Sequence, residues 1–121
     1  MKTLFFIFIL ASTFSFSQDK LFLAKVEKSS EFAENKTKGE FNFIFQKQVT
    51  KEQIETNASY YKSFFTVSFD EKKHLVSIKM LTNDEKSRRV LVRFFVTSKI
   101  SQIDMDGVSY KPEEFYNKHI K

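Results

Sequence analysis

Apolar and polar residues alternate along three stretches of the chain, which is the period of a β-strand with one buried face. The apolar members of these stretches are Phe41, Phe43 and Phe45, then Phe65, Val67 and Phe69, and then Val76, Ile78 and Met80. A short polar connection, residues 70–73, joins the second stretch to the third. These two stretches therefore predict a β-hairpin. A shorter alternation at Ile103 and Met105 predicts one further strand.

Helical spacing replaces the alternation between the first two stretches. Ile54, Ala58 and Tyr61 recur at intervals of three or four residues, which places them on one face of a helix. Thr50 and Gln53 have the spacing of a capping box, in which each side chain satisfies a backbone N–H that the start of a helix leaves free. We therefore expect a helix that begins after Thr50 and ends near residue 62.

Residues 82–99 fit two different structures. As a helix, the segment has a second capping box at Thr82 and Glu85, and one side carries the apolar residues Val90, Leu91, Phe94 and Phe95. As a strand, it alternates at Val90, Val92, Phe94 and Val96, and β-branched valines favour that structure. The capping signal and the absence of a tight turn before Ile100 favour the helix, and the strand stays open as the alternative.

With a helix at residues 82–99, the elements of residues 41–105 follow the order β-α-β-β-α-β, which is the ferredoxin-like arrangement. We therefore predict an α+β fold with one antiparallel sheet and two helices on one of its faces. A short C-terminal helix is expected over residues 112–120, because proline is tolerated in the first turn of a helix. Residues 18–40 are expected to form a partly mobile N-terminal extension at the periphery, in which an apolar segment at residues 21–26 fits either a strand or a helix start.

The first seventeen residues have the three-part layout of a secretory signal peptide. Lys2 supplies a basic start, residues 4–11 are an apolar run too short to span a bilayer, and Ser15 and Ser17 occupy the positions of a cleavage site. The prediction is export to the periplasm or exterior of a bacterial cell, with cleavage before Gln18. The domain organisation that follows is a signal peptide at 1–17, the extension at 18–40 and a single α+β domain at 41–121.

Composition excludes several classes of chemistry. The chain has no cysteine, so it forms no disulfide, holds no metal through thiolates and carries no lipid anchor at its cleavage site. It has only two glycines, which argues against a glycine-rich phosphate-binding loop. The net charge of +5 is spread along the chain rather than clustered, so nucleic acid is not an expected partner.

The hairpin sequence FFTVSFDEKKHLVSIKM, with the Thr-capped segment after it, resembles the heavy-metal-associated domain family over residues 41–106. The resemblance implies a ferredoxin-like fold. Members of that family hold a soft metal ion with two cysteines in the loop between the first strand and the first helix. The matching loop here, residues 46–51, contains no Cys, His or Met. The resemblance therefore argues for the fold and against copper or zinc carriage, and no cofactor is predicted.

Other candidate chemistry is sparse. His74 and His119 are far apart in the sequence, and neither belongs to a ligand-spaced pair. Met80 and Met105 lie in the apolar registers of separate strands, where they are expected to fill the core rather than bind metal. The sequence shows no nucleophile motif, so we predict neither a metal site nor an enzyme.

Two surface features remain as candidate contact sites. Lys86, Arg89 and Arg93 would form a basic ridge on a helix at residues 82–99, suited to an acidic partner or a phosphate-bearing lipid unless it is only a solvated face. The apolar residues in the strand registers opposite the core are Ile44, Phe64 and Leu75. They would make a patch on an open face of the sheet.

The expected function is a non-catalytic binding or interaction module of the cell envelope. Its partner would be an unidentified envelope protein or an anionic surface. A metal-handling protein or a small envelope enzyme is the alternative, and the oligomeric state stays open.

Overall fold

The computed structural model describes residues 20–121, so the predicted signal peptide lies outside the described residues. The helices and strands are β1 (Phe22–Val26), α1 (Ser29–Thr37), β2 (Glu40–Phe45), α2 (Lys51–Ser59), β3 (Phe65–Asp70), β4 (Leu75–Met80), α3 (Glu85–Thr97), β5 (Ile100–Met105), β6 (Val108–Tyr110) and α4 (Pro112–Phe115). A π-helical turn, Tyr116–Ile120, continues α4. The strands predicted from the alternating patterns are therefore confirmed as β2, β3, β4 and β5.

The six strands of residues 20–121 belong to one mixed sheet with the order β3-β4-β2-β1-β5-β6. The β1–β5 pair is parallel, and every other neighbouring pair is antiparallel. The outer strands of the sheet are thus β3 at one side and the three-residue β6 at the other.

The predicted ferredoxin-like fold is wrong. Its single antiparallel sheet would place the strand after α3 directly beside β2, but β1 lies between β2 and β5 and pairs with both. This strand comes from residues 18–40, which were predicted to form a peripheral extension, so that prediction is wrong for β1. Phe22, Ala24 and Val26 are all buried, so β1 has the alternation of a strand with one buried face.

The segment 82–99 contains the helix α3, Glu85–Thr97, so the predicted helix is confirmed there and the strand alternative is wrong. The helix begins at a different cap from the one predicted, because Asp84 rather than Thr82 is its N-cap residue. Asp84 Oδ1 accepts a hydrogen bond of 2.7 Å from the backbone N–H of Ser87. This bond stabilises the ionised carboxylate and lowers the pKa of Asp84 below its usual range.

The helix after Thr50 begins as predicted. Thr50 Oγ1 accepts from the Gln53 N–H at 3.1 Å, and Gln53 Oε1 accepts from the Thr50 N–H at 3.0 Å, which completes the capping box. At the other end of the chain, Asp106 and Gly107 both have positive φ angles, 53° and 79°. This turn joins β5 to β6, a strand that was not predicted from the sequence.

The helices pack on a single face of the sheet around a cluster of phenylalanine rings. Phe43 of β2 is fully buried and has its ring 5.1 Å from Phe95 of α3 and 6.0 Å from Phe115 of α4. Phe32 is the only buried residue of α1, and its ring lies 6.2 Å from Phe43. Tyr61, just after α2, stacks on Phe65 of β3. These ring contacts hold the helical layer against β2 and β3.

Candidate functional site

The opposite face of the sheet carries no helix from residues 20–121. Alternate side chains of the strands lie on this open face, and they are exposed or half-buried. The central members of the open face are Leu23, Lys25, Asn42, Ile44, Thr66, Ser68, Leu75, Ser77 and Lys79. A sheet with one face packed against helices and the other face in contact with solvent gives this pattern.

One row of paired residues crosses the open face. Ile44 of β2 is paired with Leu75 of β4 on one side and with Lys25 of β1 on the other, and Lys25 is paired with Asp104 of β5. Two apolar side chains thus lie beside a lysine and an aspartate of opposite charge. Leu23, which is 45% exposed, adjoins this row and helps to line a shallow hollow of about 200 Å³ above β1 and β2.

A second hollow on the same face is polar. It has a volume of about 400 Å³ and lies above β2, β4 and β3. The side chains that reach it from the open face are Glu40, Asn42, Thr66, Ser68, Ser77 and Lys79. The open face therefore carries apolar and charged side chains in the row around Ile44, and uncharged polar side chains around Ser77.

The predicted patch of Ile44, Phe64 and Leu75 is only partly assembled. Ile44 and Leu75 are directly paired, but Phe64 precedes β3 at the end where Phe65 is paired with Met80. Since Asp70 at the opposite end of β3 is the residue paired with Leu75, the length of the strand separates Phe64 from the other two. At the rise of a β-strand this separation is about 20 Å.

The predicted basic ridge lies on the exposed side of α3, but its central residue is already bound. The guanidinium of Arg89 donates to both carboxylate oxygens of Glu113, at 2.7 and 2.9 Å, and lies 4.9 Å from the centre of the Tyr116 ring. This bidentate contact lowers the pKa of Glu113. Lys86 and Arg93 are exposed on either side of Arg89. The ridge therefore contributes to the docking of α4 on α3.

A cleft of about 610 Å³ lies along this contact, where α3 meets α4 and the π-helical turn. Its lining residues are Glu85, Lys86, Arg89, Glu113, Tyr116, Asn117 and Lys121. Its lining includes both acidic and basic side chains, so it offers no concentrated charge of one sign. Sequence reasoning missed this cleft because Arg89 and Glu113 are 24 residues apart and meet only when α4 docks.

The two histidines lie in unrelated environments. His74 has a φ of 56°, and its Nε2 lies 2.7 Å from the Val49 carbonyl oxygen, so it ties the β3–β4 turn to the β2–α2 loop. His119 is packed against Tyr110 and Phe115, with ring centres 5.1 Å away from each. Its Nε2 is buried without a hydrogen-bond partner among residues 20–121. Burial lowers the pKa of His119, as does Lys118, while Asp106 acts in the opposite direction.

Metal ligands are not brought together in the described part of the chain. Residues 20–121 contain no group of three or more His, Asp or Glu side chains placed to hold a metal ion. Met80 is 6% exposed and belongs to the core, as predicted, and the half-buried Met105 packs against that core.

No helix within residues 20–121 combines the length and the apolar composition that crossing a bilayer requires. Comparison of the chain with protein-family models, with curated proteins and with solved structures found no match.

Proposed function

We propose that this chain is an exported, non-catalytic interaction module of the bacterial cell envelope, and that it binds a protein partner through the open face of its sheet. One observation supports the proposal above all others: the helices of residues 20–121 pack on one face of the sheet and leave the other face uncovered. The sequence pattern of residues 1–17 supports the exported location.

The shape of the open face favours a macromolecular partner over a small molecule. Small-molecule sites are concave and bury most of their ligand. The hollows on this face, of about 200 and 400 Å³, are shallow depressions above a sheet. Such a surface suits the broad, nearly flat contact of a protein–protein interface.

The chemistry of the open face has the layout of an interface. Leu23, Ile44 and Leu75 provide an apolar centre, and Lys25 and Asp104 provide charges of both signs beside it. An apolar centre with a polar rim is the arrangement that protein interfaces share. The basic ridge is the weaker contact site, because Glu113 already occupies the guanidinium of Arg89.

Site-specific photocrosslinking in the native cell tests this proposal. A photoreactive amino acid at Asn42, on the open face, should yield a discrete crosslinked adduct, and the same group at Glu52, exposed on α2, should not. The additional substitution Ile44→Lys should abolish the Asn42 adduct, because it places a charge in the apolar centre. Adducts from Glu52 alone would contradict the proposal, as would an Asn42 adduct that persists with Ile44→Lys.

The exported location has its own test. The protein isolated from the periplasm or the medium should begin at Gln18 when its N-terminus is determined by mass spectrometry. Recovery of the chain only in the cytoplasm, with residues 1–17 still attached, would contradict it.

A further inference from the structure

The outer strand β3 has one side without a neighbouring strand in residues 20–121. The N–H of Leu81 donates to the carbonyl oxygen of Phe64, so the backbone groups of Phe64 point toward β4. Backbone groups alternate in direction along a strand, so those of Phe65, Val67 and Phe69 point outward. The Phe65 N–H already donates to the Tyr61 carbonyl oxygen at 3.2 Å. The outward edge thus offers the Phe65 carbonyl and both backbone groups of Val67 and Phe69.

This edge lacks the features that usually prevent a sheet from pairing with another sheet, such as proline, lysine, a β-bulge or a very short strand. The strand has six residues, and the sequence FTVSFD contains no Pro, Gly or Lys. Its register with β4 runs from Phe65 to Asp70 without a bulge. The other outer strand is protected in comparison, because β6 has only three residues and Lys111 and Pro112 follow it.

We propose that β3 pairs in an antiparallel manner with β3 of a second copy of this chain, about a two-fold axis at Val67. Residues that face each other in an antiparallel pair lie on the same face of the sheet, which restricts the possible registers. The register centred on Val67 pairs both backbone groups of Val67, the Phe69 N–H and the Phe65 carbonyl. The Phe69 carbonyl stays unpaired, because the Phe65 N–H opposite it already donates to Tyr61. The Val67 N–H of each copy donates to the Val67 carbonyl of the other copy, and each Phe69 N–H donates to the Phe65 carbonyl of the other copy.

The side chains are compatible with this register. On the helix-covered face, Val67 meets Val67 of the second copy, and β-branched pairs of this kind stabilise a sheet. Phe69 lies opposite Phe65, whose side chain is already buried within its own chain. Val67 and Phe69 are half-buried in the single chain, so pairing would bury them further. On the open face, Thr66 meets Ser68. The one charged residue of the strand, Asp70, meets Phe64, so no like charges face each other.

Charge substitutions on the open face test both the dimer and its register. The variant Thr66→Glu with Ser68→Glu places like charges opposite each other across the two-fold axis. The matched variant Thr66→Glu with Ser68→Lys places opposite charges there. Both variants carry a glutamate at position 66, which is paired with Lys79 within one chain, so this glutamate is favourable in the single chain. Thr66 and Ser68 are both exposed in the single chain, so neither substitution disturbs its core.

Sedimentation equilibrium of the purified protein and of both variants measures the outcome. We expect a wild-type dimer, a dimer dissociation constant raised about tenfold or more by the like-charge variant, and a dimer retained by the opposite-charge variant. Circular dichroism of each variant establishes that it is folded. A wild-type protein that stays monomeric, or two folded variants with equal dissociation constants, would overturn the proposal.

Disulfide trapping provides a second test, because the natural sequence has no cysteine. Thr66 and Ser68 of opposite copies would form a non-hydrogen-bonded pair with Cα atoms about 4.5 Å apart, within the range of a disulfide. Under mild oxidation, Thr66→Cys combined with Ser68→Cys should form a covalent dimer much faster than either single substitution. Equal rates would overturn the proposed register. Neither test depends on the open face binding a partner, so either proposal can fail alone.

Discussion

Replacement of Phe32 by alanine tests whether α1 belongs to the hydrophobic core. Phe32 is 4% exposed and is the only buried residue of this helix. Its ring lies 5.7 Å from Phe41, 6.2 Å from Phe43 and 5.5 Å from Phe115, so it connects α1 to β2 and to α4. No second buried side chain of α1 would hold the helix in place after the substitution.

The expected loss of stability follows from this burial. Truncation of a fully buried phenylalanine to alanine costs about 3–5 kcal/mol, since the transfer free energy of the ring is lost and a cavity remains. A domain of this size has a free energy of unfolding of only about 5–15 kcal/mol. We therefore expect Phe32→Ala to remove a large fraction of the stability, and to lower the thermal midpoint by about 12 °C or more.

Urea denaturation followed by far-ultraviolet circular dichroism measures the effect, because the chain has no tryptophan for fluorescence. The matched control is Phe64→Ala, which removes the same ring from a residue that is 40% exposed. It should cost less than about 2 kcal/mol. A loss of under about 1 kcal/mol for Phe32→Ala, or a loss no larger than that of the control, would refute the assignment of α1 to the core.

Three further predictions concern pH, backbone conformation and ion pairing. Because burial lowers the pKa of His119 below its usual value of 6.5, the unfolded chain binds that proton more tightly. The free energy of unfolding should therefore fall as the pH is lowered through 6.5 to the folded-state pKa. Urea denaturation of His119→Gln should no longer show this pH dependence, and a pH profile equal to that of the wild type would contradict the assignment to His119. Gly39→Ala should lower the thermal midpoint more than Gly107→Ala: both have positive φ, but only at Gly39 would a Cβ meet neighbouring side chains, at 3.2 Å. Equal losses would refute that reasoning. Glu113→Gln should lower the thermal midpoint slightly in low salt and much less in 1 M salt, because salt screens the exposed ion pair with Arg89. Equal decreases at the two salt concentrations would argue against a contribution of this ion pair.

The sequence predicts local elements well where one periodicity dominates. The alternation around Phe43 and the capping box at Thr50 depend on neighbouring residues, and the structure confirms both. The Asp84 cap was missed because Thr82 offers the same chemistry two residues earlier, and only the helix geometry distinguishes them.

The position of β1 in the sheet could not be predicted in the same way. The apolar segment at residues 21–26 was compatible with a strand, but periodicity does not tell where a strand inserts. That choice depends on pairing with β2 and β5, and β5 is at the far end of the chain. The division of the Ile44, Phe64 and Leu75 set has a related cause, because a shared face of a sheet does not imply proximity along the strands.

The insertion of β1 between β2 and β5 also constrains the order of folding. In the unit β2-α2-β3-β4, paired residues are at most 39 positions apart (Glu40 and Lys79), so this unit can form before the β1–β5 pair. The parallel pair is different, because Phe22 must wait for Ile100 to be synthesised or translocated. Until then, β1 can pair with β2 but not with β5. Bringing β1 and β5 together closes a loop that includes all the residues between them, and this closure carries an entropic cost. Completion of the sheet is therefore expected to be a late event, and the two halves of the sheet become one cooperative unit only when β5 arrives.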